Sequence, residues 1–216
     1  MKQDFWHQCW ENTHIGFHQD ELQPLLIEHF PQYIEADDSR VFVPCCGKTS
    51  DLLYFSKRFK VIGNELSSIA CRDFFHENKL VPNIKQTLRF NVLEQGNISL
   101  YQGDFFSLQA HTFKAFDWVY DRAALIAFPE NMRSQYVSHL KTFIQENTRV
   151  FLLTLEYPEG EISGPPFSIK QSDVEALFAG YEITRVATRD LTGQKFAKRS
   201  LPVSKLIESL YIIKAQ

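Results

Sequence analysis

Two periods alternate through the middle of the chain. Short apolar runs of strand length, Arg40-Val41-Phe42-Val43-Pro44, Lys60-Val61-Ile62-Gly63-Asn64, Ile98 to Tyr101, Asp117-Trp118-Val119-Tyr120 and Arg149 to Leu155, are separated by stretches whose apolar positions recur at helical spacing. Thr49 to Phe59 carries Leu52, Leu53, Phe55 and Phe59 at that spacing, and a second helix holds Ile69, Ala70, Phe74 and Phe75 and is expected to end near Leu80-Val81-Pro82. Ala123-Ala124-Leu125-Ile126 leads into a longer helix from Pro129 to about Phe143, with proline in its first turn, and Ser172 to Phe178 is a further helix. Strands separated by helical patterns make βαβ units, so the pattern predicts an α/β sandwich on a mainly parallel sheet. Tyr181 to Ala187 and Leu210-Tyr211-Ile212-Ile213 bring the strands to seven. No helical pattern separates these last two, which predicts an antiparallel hairpin at the sheet edge. Residues 1–38 fall outside the alternation and read as a helical extension of one 1–216 domain.

The composition narrows the function classes. With 216 residues, 44% hydrophobic and 23% charged, the chain can bury a core without disulfides or metal. There are 19 Phe against 2 Met, a supply of flat rings for both a core and a pocket. A net charge of -3 lacks the basic excess of a phosphate-binding protein, so no nucleic-acid partner is expected. Cys9, Cys45, Cys46 and Cys71 form no CxxC pair and read as free thiols, as expected in the cytoplasm. The N-terminal residues Met1 to Trp6 carry an acid at position 4 and do not read as a secretory signal; no apolar run reaches membrane-spanning length, so no membrane partner is expected. The charge is unevenly distributed: residues 1–38 hold one Lys and eight acids, whereas Arg185 to the end holds seven basic residues and two acids. Such blocks are usually solvated faces, but they also raise the prospect that the two ends meet over one face.

Open α/β sheets bind ligands outside the carboxyl ends of their strands, which directs attention to the strand tips. After the first strand, Gly47-Lys48-Thr49 has the end of a phosphate-binding loop, but GxxxxGK[ST] requires glycine at 42, where Phe42 stands. The GxGxxG fingerprint of dinucleotide enzymes is absent as well. The second strand ends at Glu65, 18 residues past Gly47, where a carboxylate can accept hydrogen bonds from both hydroxyls of a nucleoside ribose. Gly103-Asp104-Phe105-Phe106 follows the third strand and offers an acceptor and an apolar wall suited to adenine. Tyr120-Asp121-Arg122 closes the fourth strand and brings a guanidinium to the same edge. His14 and His18 are four residues apart, but no acids or cysteines cluster with them in sequence, so no metal is expected.

These fragments occur in an ordered series. Phe5-Trp6 and Trp10, Ile15-Gly16-Phe17-His18, Pro24-Leu25-Leu26, Val43-Pro44-Cys45-Cys46-Gly47-Lys48, Gly63-Asn64-Glu65-Leu66-Ser67, Gly103 to Phe106, Tyr120 to Leu125, Met132-Arg133, Thr154-Leu155-Glu156-Tyr157 and Gly164-Pro165-Pro166-Phe167 follow one another along nearly the whole chain. With this series the sequence resembles the thiopurine S-methyltransferase family, class I methyltransferases that use S-adenosyl-L-methionine. Cys45 replaces a leucine usual in bacterial members, Asn64 stands where valine is usual, and the tail after Gly193 matches poorly.

The resemblance implies a Rossmann-like sandwich under an N-terminal helical cover, and a role for each matched residue. Trp10 would cover the methionyl end, where an indole face attracts a cationic centre. Backbone at Cys45 and Gly47 would favour the methionyl carboxylate, Glu65 the ribose, and Asp104 with Phe105 the adenine. Arg122 would also bind the cofactor near its methionyl group; Phe17, Arg122 and Phe167 would face a small thiol or chalcogen acceptor, and Asp121 and Arg122 are the candidates for handling a proton or charge. Methyl transfer from a sulfonium is an in-line displacement on an already activated donor, so positioning and water exclusion could supply most of the rate, and no base is obligatory. The expected activity is transfer to the sulfur of aromatic or heterocyclic thiols by a cytoplasmic monomer. Selenium or tellurium oxyanions and small thiols are the alternative acceptors, and a non-catalytic adenosyl-binding module is the alternative class.

Overall fold

The computed structural model describes residues 3–215; Met1, Lys2 and Gln216, the ends of the expected domain, lie outside the described residues. The five central strands are those expected from the apolar runs: β1 (Arg40–Val43), β2 (Lys60–Glu65), β5 (Ile98–Gln102), β6 (Trp118–Arg122) and β7 (Arg149–Glu156). They run parallel in the order β5-β2-β1-β6-β7. The chain reverses its direction of travel across the sheet between β1 and β6, and a crevice opens there at the carboxyl ends of the strands. β8 (Tyr181–Asp190) and β11 (Ile207–Ala215) pair antiparallel, and β11 is inserted between β7 and the edge strand β8.

Among the described residues the sheet has nine strands, not seven. The additional pair, β3 (Asn83–Gln86) and β4 (Asn91–Gln95), forms an antiparallel hairpin beside β5. Its outer strand exposes all four residues, so no buried alternation marks it in the sequence. The helix before it is correspondingly shorter than its apolar pattern: α4 (Ser68–Glu77) stops where Asn78 bonds back to the Phe74 carbonyl and Lys79 takes a positive φ of 55°. A two-stranded ribbon, β9 (Lys195–Phe196) with β10 (Arg199–Ser200), was likewise too short to be read from the sequence. α3 (Asp51–Ser56) is shorter than expected, while α5 (Glu130–Lys141) and α6 (Gln171–Leu177) lie close to expectation. Among the described residues the N-terminal extension is helical at α1 (Gln3–Glu11), α2 (Pro24–His29) and a 3-10 turn at Phe30–Tyr33.

The phenylalanines form the two cores on either face of the sheet. Side chains alternate along a strand, so on β1 Phe42 faces one core and Val41 and Val43 the other. Phe42 stacks on Phe143 with centroids 4.6 Å apart. On the opposite face Phe30, fully buried, lies 4.9 Å from Trp118 and 5.1 Å from Phe55, also in ring-to-ring contact with Phe59 and Phe151. This ring fastens the N-terminal segment to the sheet. Beside it Arg149 pairs with Glu35 and Asp38 and lies over the Trp118 ring, so the charges carried by that segment are neutralised where they are buried.

Phe30→Ala is expected to destabilise the protein by about 3–5 kcal/mol in urea unfolding, the cost of a large buried cavity. A loss below about 1 kcal/mol would show that residues 24–38 are not part of the cooperative core.

Candidate active site

The carboxyl ends of β1, β2, β5 and β6 surround a cavity of about 490 Å³, within the range of small-molecule sites. Trp10, Phe17, Cys45, Gly47, Glu65, Asp104, Phe105 and Arg122 all line it. They come from five separate segments, and the strand-tip rule accounts for most of that convergence.

Glu65 ties two of these segments together. One oxygen accepts the Gly47 N–H at 2.8 Å and the other the Ser67 N–H at 2.7 Å, joining the turn after β1 to the N-terminus of α4. Burial raises its pKa while these backbone donors, with that of Leu66, pull it back down. A carboxylate has about four acceptor positions, so with these amides answered it still has room to accept from a ribose hydroxyl. The Gly47 N–H, expected to meet a methionyl carboxylate, is thus engaged by Glu65, and α3 starts only at Asp51. The positive groups at that end of the cavity are Lys48, which pairs with Glu77 at 2.5 Å, and Arg122. Gly47 has a φ of +55°, and a Cβ there would lie 3.5 Å from the Trp10 ring. Cys45 adopts the same left-handed region at φ 46°, a conformation costly for a residue with a side chain. Burial, then the carboxylates of Glu65, Asp121 and Asp104, push its thiol pKa well up, so it stays protonated and unreactive.

Over the crevice lies an aromatic roof. Phe17 packs edge-on against Trp6 and Trp10, with centroids at 5.5 and 5.6 Å, and Trp10 itself is buried. At the other end Asp104 spends one oxygen on the Phe106 N–H and caps the short turn that carries Phe105 and Phe106. Phe105 both lines the cavity and packs into the core edge-on to His139 at 4.7 Å.

Arg122 enters the cavity already partnered. Its Nη1 donates to Thr49 Oγ1 at 3.1 Å and stands 3.5 Å from Asp51, whose buried carboxylate also accepts the Gln23 N–H and the Tyr120 hydroxyl. Asp121, expected beside it as a proton handler, does not reach the cavity. Its side chain points into the core, where it accepts the Leu125 N–H at 3.1 Å and the Tyr136 hydroxyl at 2.7 Å. It therefore fixes the turn through Ala123, at φ 70°, that follows Arg122. Phe167 is also displaced from its expected place. Its ring lies against Gly164, where a Cβ would come within 2.5 Å of it, and its N–H bonds to the Ile126 carbonyl. It supports the proline loop from outside the cavity, while Pro165 and Pro166 form the wall.

Two cavity residues, Phe196 and Arg199, come from the tail after Gly193. The charge asymmetry was the only sequence signal for them, and the ends do meet: Lys198 pairs with Asp20 at 2.9 Å and donates its N–H to the Gly16 carbonyl, while Arg199 reaches the Pro165 carbonyl at 2.7 Å. His14 and His18 lie beyond the end of α1, so their four-residue spacing does not set them on one helix face. Among the described residues the carboxylates close enough to share an ion are Glu35, Asp37 and Asp38, outside the cavity, and Arg149 pairs with two of them.

A sequence model of the thiopurine S-methyltransferase family matches residues 1–216. The chain belongs to this family. It is 41% identical over 218 residues to the thiopurine S-methyltransferase of Vibrio parahaemolyticus and 39% identical over 215 residues to that of Pseudomonas aeruginosa, with 99% of each chain covered in both cases. The fold is also that of more distant methyltransferases. An S-adenosylmethionine-dependent methyltransferase from Anabaena variabilis superposes with a TM-score of 0.71 at 17% identity, covering 99% of this chain and 95% of the other. Magnesium protoporphyrin IX methyltransferase from Synechocystis, solved with its methyl donor bound, gives 0.58 at 13% identity, covering 96% of each. The crevice that holds Glu65 and Arg122 is therefore part of a thiopurine S-methyltransferase family fold.

Asp121 gives this member of the family a pH signature. Burial raises its carboxyl from the ordinary 3.8 to about 6, so the folded protein binds this proton more tightly than the unfolded chain does. The stability this group contributes is present in full below about pH 3.8 and is lost as the pH rises through 6, about 3 kcal/mol in all. Asp121→Asn cannot titrate, so the stability gap between the two proteins should shift by most of that amount, about 2.4 kcal/mol, between pH 4 and pH 7 in urea unfolding. A constant gap would show that the carboxyl does not titrate near 6.

Proposed function

We propose that the protein transfers the methyl group of S-adenosyl-L-methionine to the sulfur of a small aromatic or heterocyclic thiol, of which thiopurines are the model, as a cytoplasmic monomer with residues 1–38 covering a single catalytic unit. The observation that carries the reading is the convergence of Glu65, Asp104 and Arg122 beneath the rings of Trp10 and Phe17 in one cavity. The groups present fit the donor: Glu65 keeps acceptor capacity for the ribose, Asp104 keeps an oxygen not used in its cap for the adenine amino group, and the face of Trp10 suits a sulfonium. When bound, the donor supplies a methyl group on a positively charged sulfur that leaves neutral.

The chain's own part is to orient and to exclude water. Phe17 and the Pro165–Pro166 wall bound the acceptor side, apolar surfaces on which a flat heterocycle can stack. Arg122, with much of its charge answered by Asp51, holds its guanidinium still, and such a group can be aimed at an anionic sulfur without reorganising during transfer. With the reactants held in line, effective concentration lowers most of the barrier. In keeping with a small-molecule acceptor, no helix among the described residues is long and apolar enough to cross a membrane.

The test is a methyl-transfer assay with 6-mercaptopurine beside selenite and tellurite. Methylated thiol and S-adenosylhomocysteine in equal amounts are expected. Turnover of the oxyanions alone would move the acceptor class, and tight cofactor binding with no turnover would make the protein a binding module. Glu65→Ala is expected to weaken S-adenosylhomocysteine binding about 30-fold in calorimetry, the loss of about 2 kcal/mol of hydrogen bonding to a charged acceptor. Unchanged affinity would confine Glu65 to tying the Gly47 turn.

A further inference from the structure

His18 is a buried imidazole in the cavity wall that the reading above does not use. It follows Phe17 in the chain, lines the same cavity and is 8% exposed. Its Nε2 stands 3.2 Å from Asp20 Oδ1, and Asp20 is itself held by Lys198 at 2.9 Å. A carboxylate at that nitrogen favours the tautomer with the proton on Nε2, which leaves Nδ1 as a lone-pair acceptor. Nδ1 has no partner among the described residues, nor is it among their sealed polar atoms that lack one.

The surroundings keep this ring neutral. Burial lowers its pKa below the ordinary 6.5, and Lys48, Lys198 and Arg122 act in the same direction against Asp20. These four groups are the charged ones that face it, from the turn after β1, the β9–β10 ribbon, the tip of β6 and its own loop. A neutral imidazole among three cations has two uses for a thiol acceptor: it can take a proton at neutral pH, and the cations favour the thiolate that results.

We infer that His18 is the general base for acceptor thiols that are still protonated at the working pH, and that the enzyme's acceptors therefore include weakly acidic thiols as well as heterocyclic ones that ionise unaided. This rests on the proposed methyl-transfer function. The acceptor S–H bond breaks and its proton passes to Nδ1. The sulfur's electron pair forms the new bond to the methyl carbon as that carbon's bond to the sulfonium sulfur breaks, its pair staying on the departing neutral sulfide. The imidazolium then returns its proton to water. An acceptor lying against Phe17 shares a wall with the imidazole, which is the proximity a base requires.

The experiment compares two acceptors, an alkyl thiol with a pKa well above the assay pH and an aromatic thiol ionised throughout, in the unaltered protein and in His18→Gln and His18→Asn. The variants should slow transfer to the alkyl thiol about 100-fold or more and leave the ionised thiol close to the unaltered rate. The kcat/KM profile for the alkyl thiol should lose its rise through the His18 pKa, below 6.5, and keep only a rise through the thiol's own pKa. Equal losses with both thiols, or none with either, would overturn the base. A fall in S-adenosylhomocysteine affinity matching the fall in rate would instead place His18 on the cofactor and overturn it too. If the unaltered protein turns over neither thiol, the methyl-transfer reading fails first and the base with it; turnover of both with equal losses defeats the base alone.

Discussion

The buried Asp51 carboxylate is the point on which the cavity depends. It accepts the Gln23 N–H, which fixes the entry to α2, and the Tyr120 hydroxyl, which fixes the last turns of β6, and it stands 3.5 Å from Arg122. A carboxylate taken out of water demands partners of this kind, and here they join the N-terminal segment to the tip of β6. Gln23 extends the linkage through its side chain to Glu208 on β11, near Arg189 on β8, so the roof, the floor and the antiparallel edge of the sheet are connected by buried polar contacts. Such a network is costly if half made and rigid if complete, which suits a site that works by holding two reactants in line.

Glu65 does for the cofactor side what Asp51 does for the roof. Because its two oxygens already bind the Gly47 and Ser67 amides, the turn after β1 is shaped before any ligand arrives. The left-handed backbone at Cys45 and Gly47 shows what that shape costs and why it needs a tie. The side chain read from the sequence as a ribose ligand is thus also a structural clamp, and the two roles use different lone pairs of the same group.

How legible each part was follows from where its information lies. β1, β2, β6 and β7 are largely buried on both faces and β5 on one, so their apolar positions betray them, and once the sheet is parallel the strand-tip rule brings Glu65, Asp104 and Arg122 together. The β3–β4 hairpin is held by backbone pairing with an exposed outer strand, and no pattern of burial marks it. Asp121 and Phe167 illustrate a different limit. Adjacent residues on a strand point to opposite faces, so only one of the pair Asp121 and Arg122 could enter the cavity, and the sequence does not say which. For Phe167, the bond of its N–H to the distant Ile126 carbonyl and the fold of its ring onto Gly164 turn it away from the acceptor, and the first of these leaves no local signal.

The tail is the part of the chain that its charge made legible. Its positive charge is opposite in sign to that of the head, and the contact that closes the roof is the ion pair of Lys198 with Asp20. Asp20 is mostly exposed, so the pair itself contributes little to stability. What it does is local: it places a carboxylate beside His18 and brings Arg199 over Gly16, to the rim of the acceptor side. Charge blocks at the two ends can therefore preserve the closure of a site while the residues between them vary, because a pair of opposite charges tolerates changes of neighbour that a packed interface does not. On this view the tail is free to tune which acceptor enters, while Asp51 and Glu65 keep the donor side fixed.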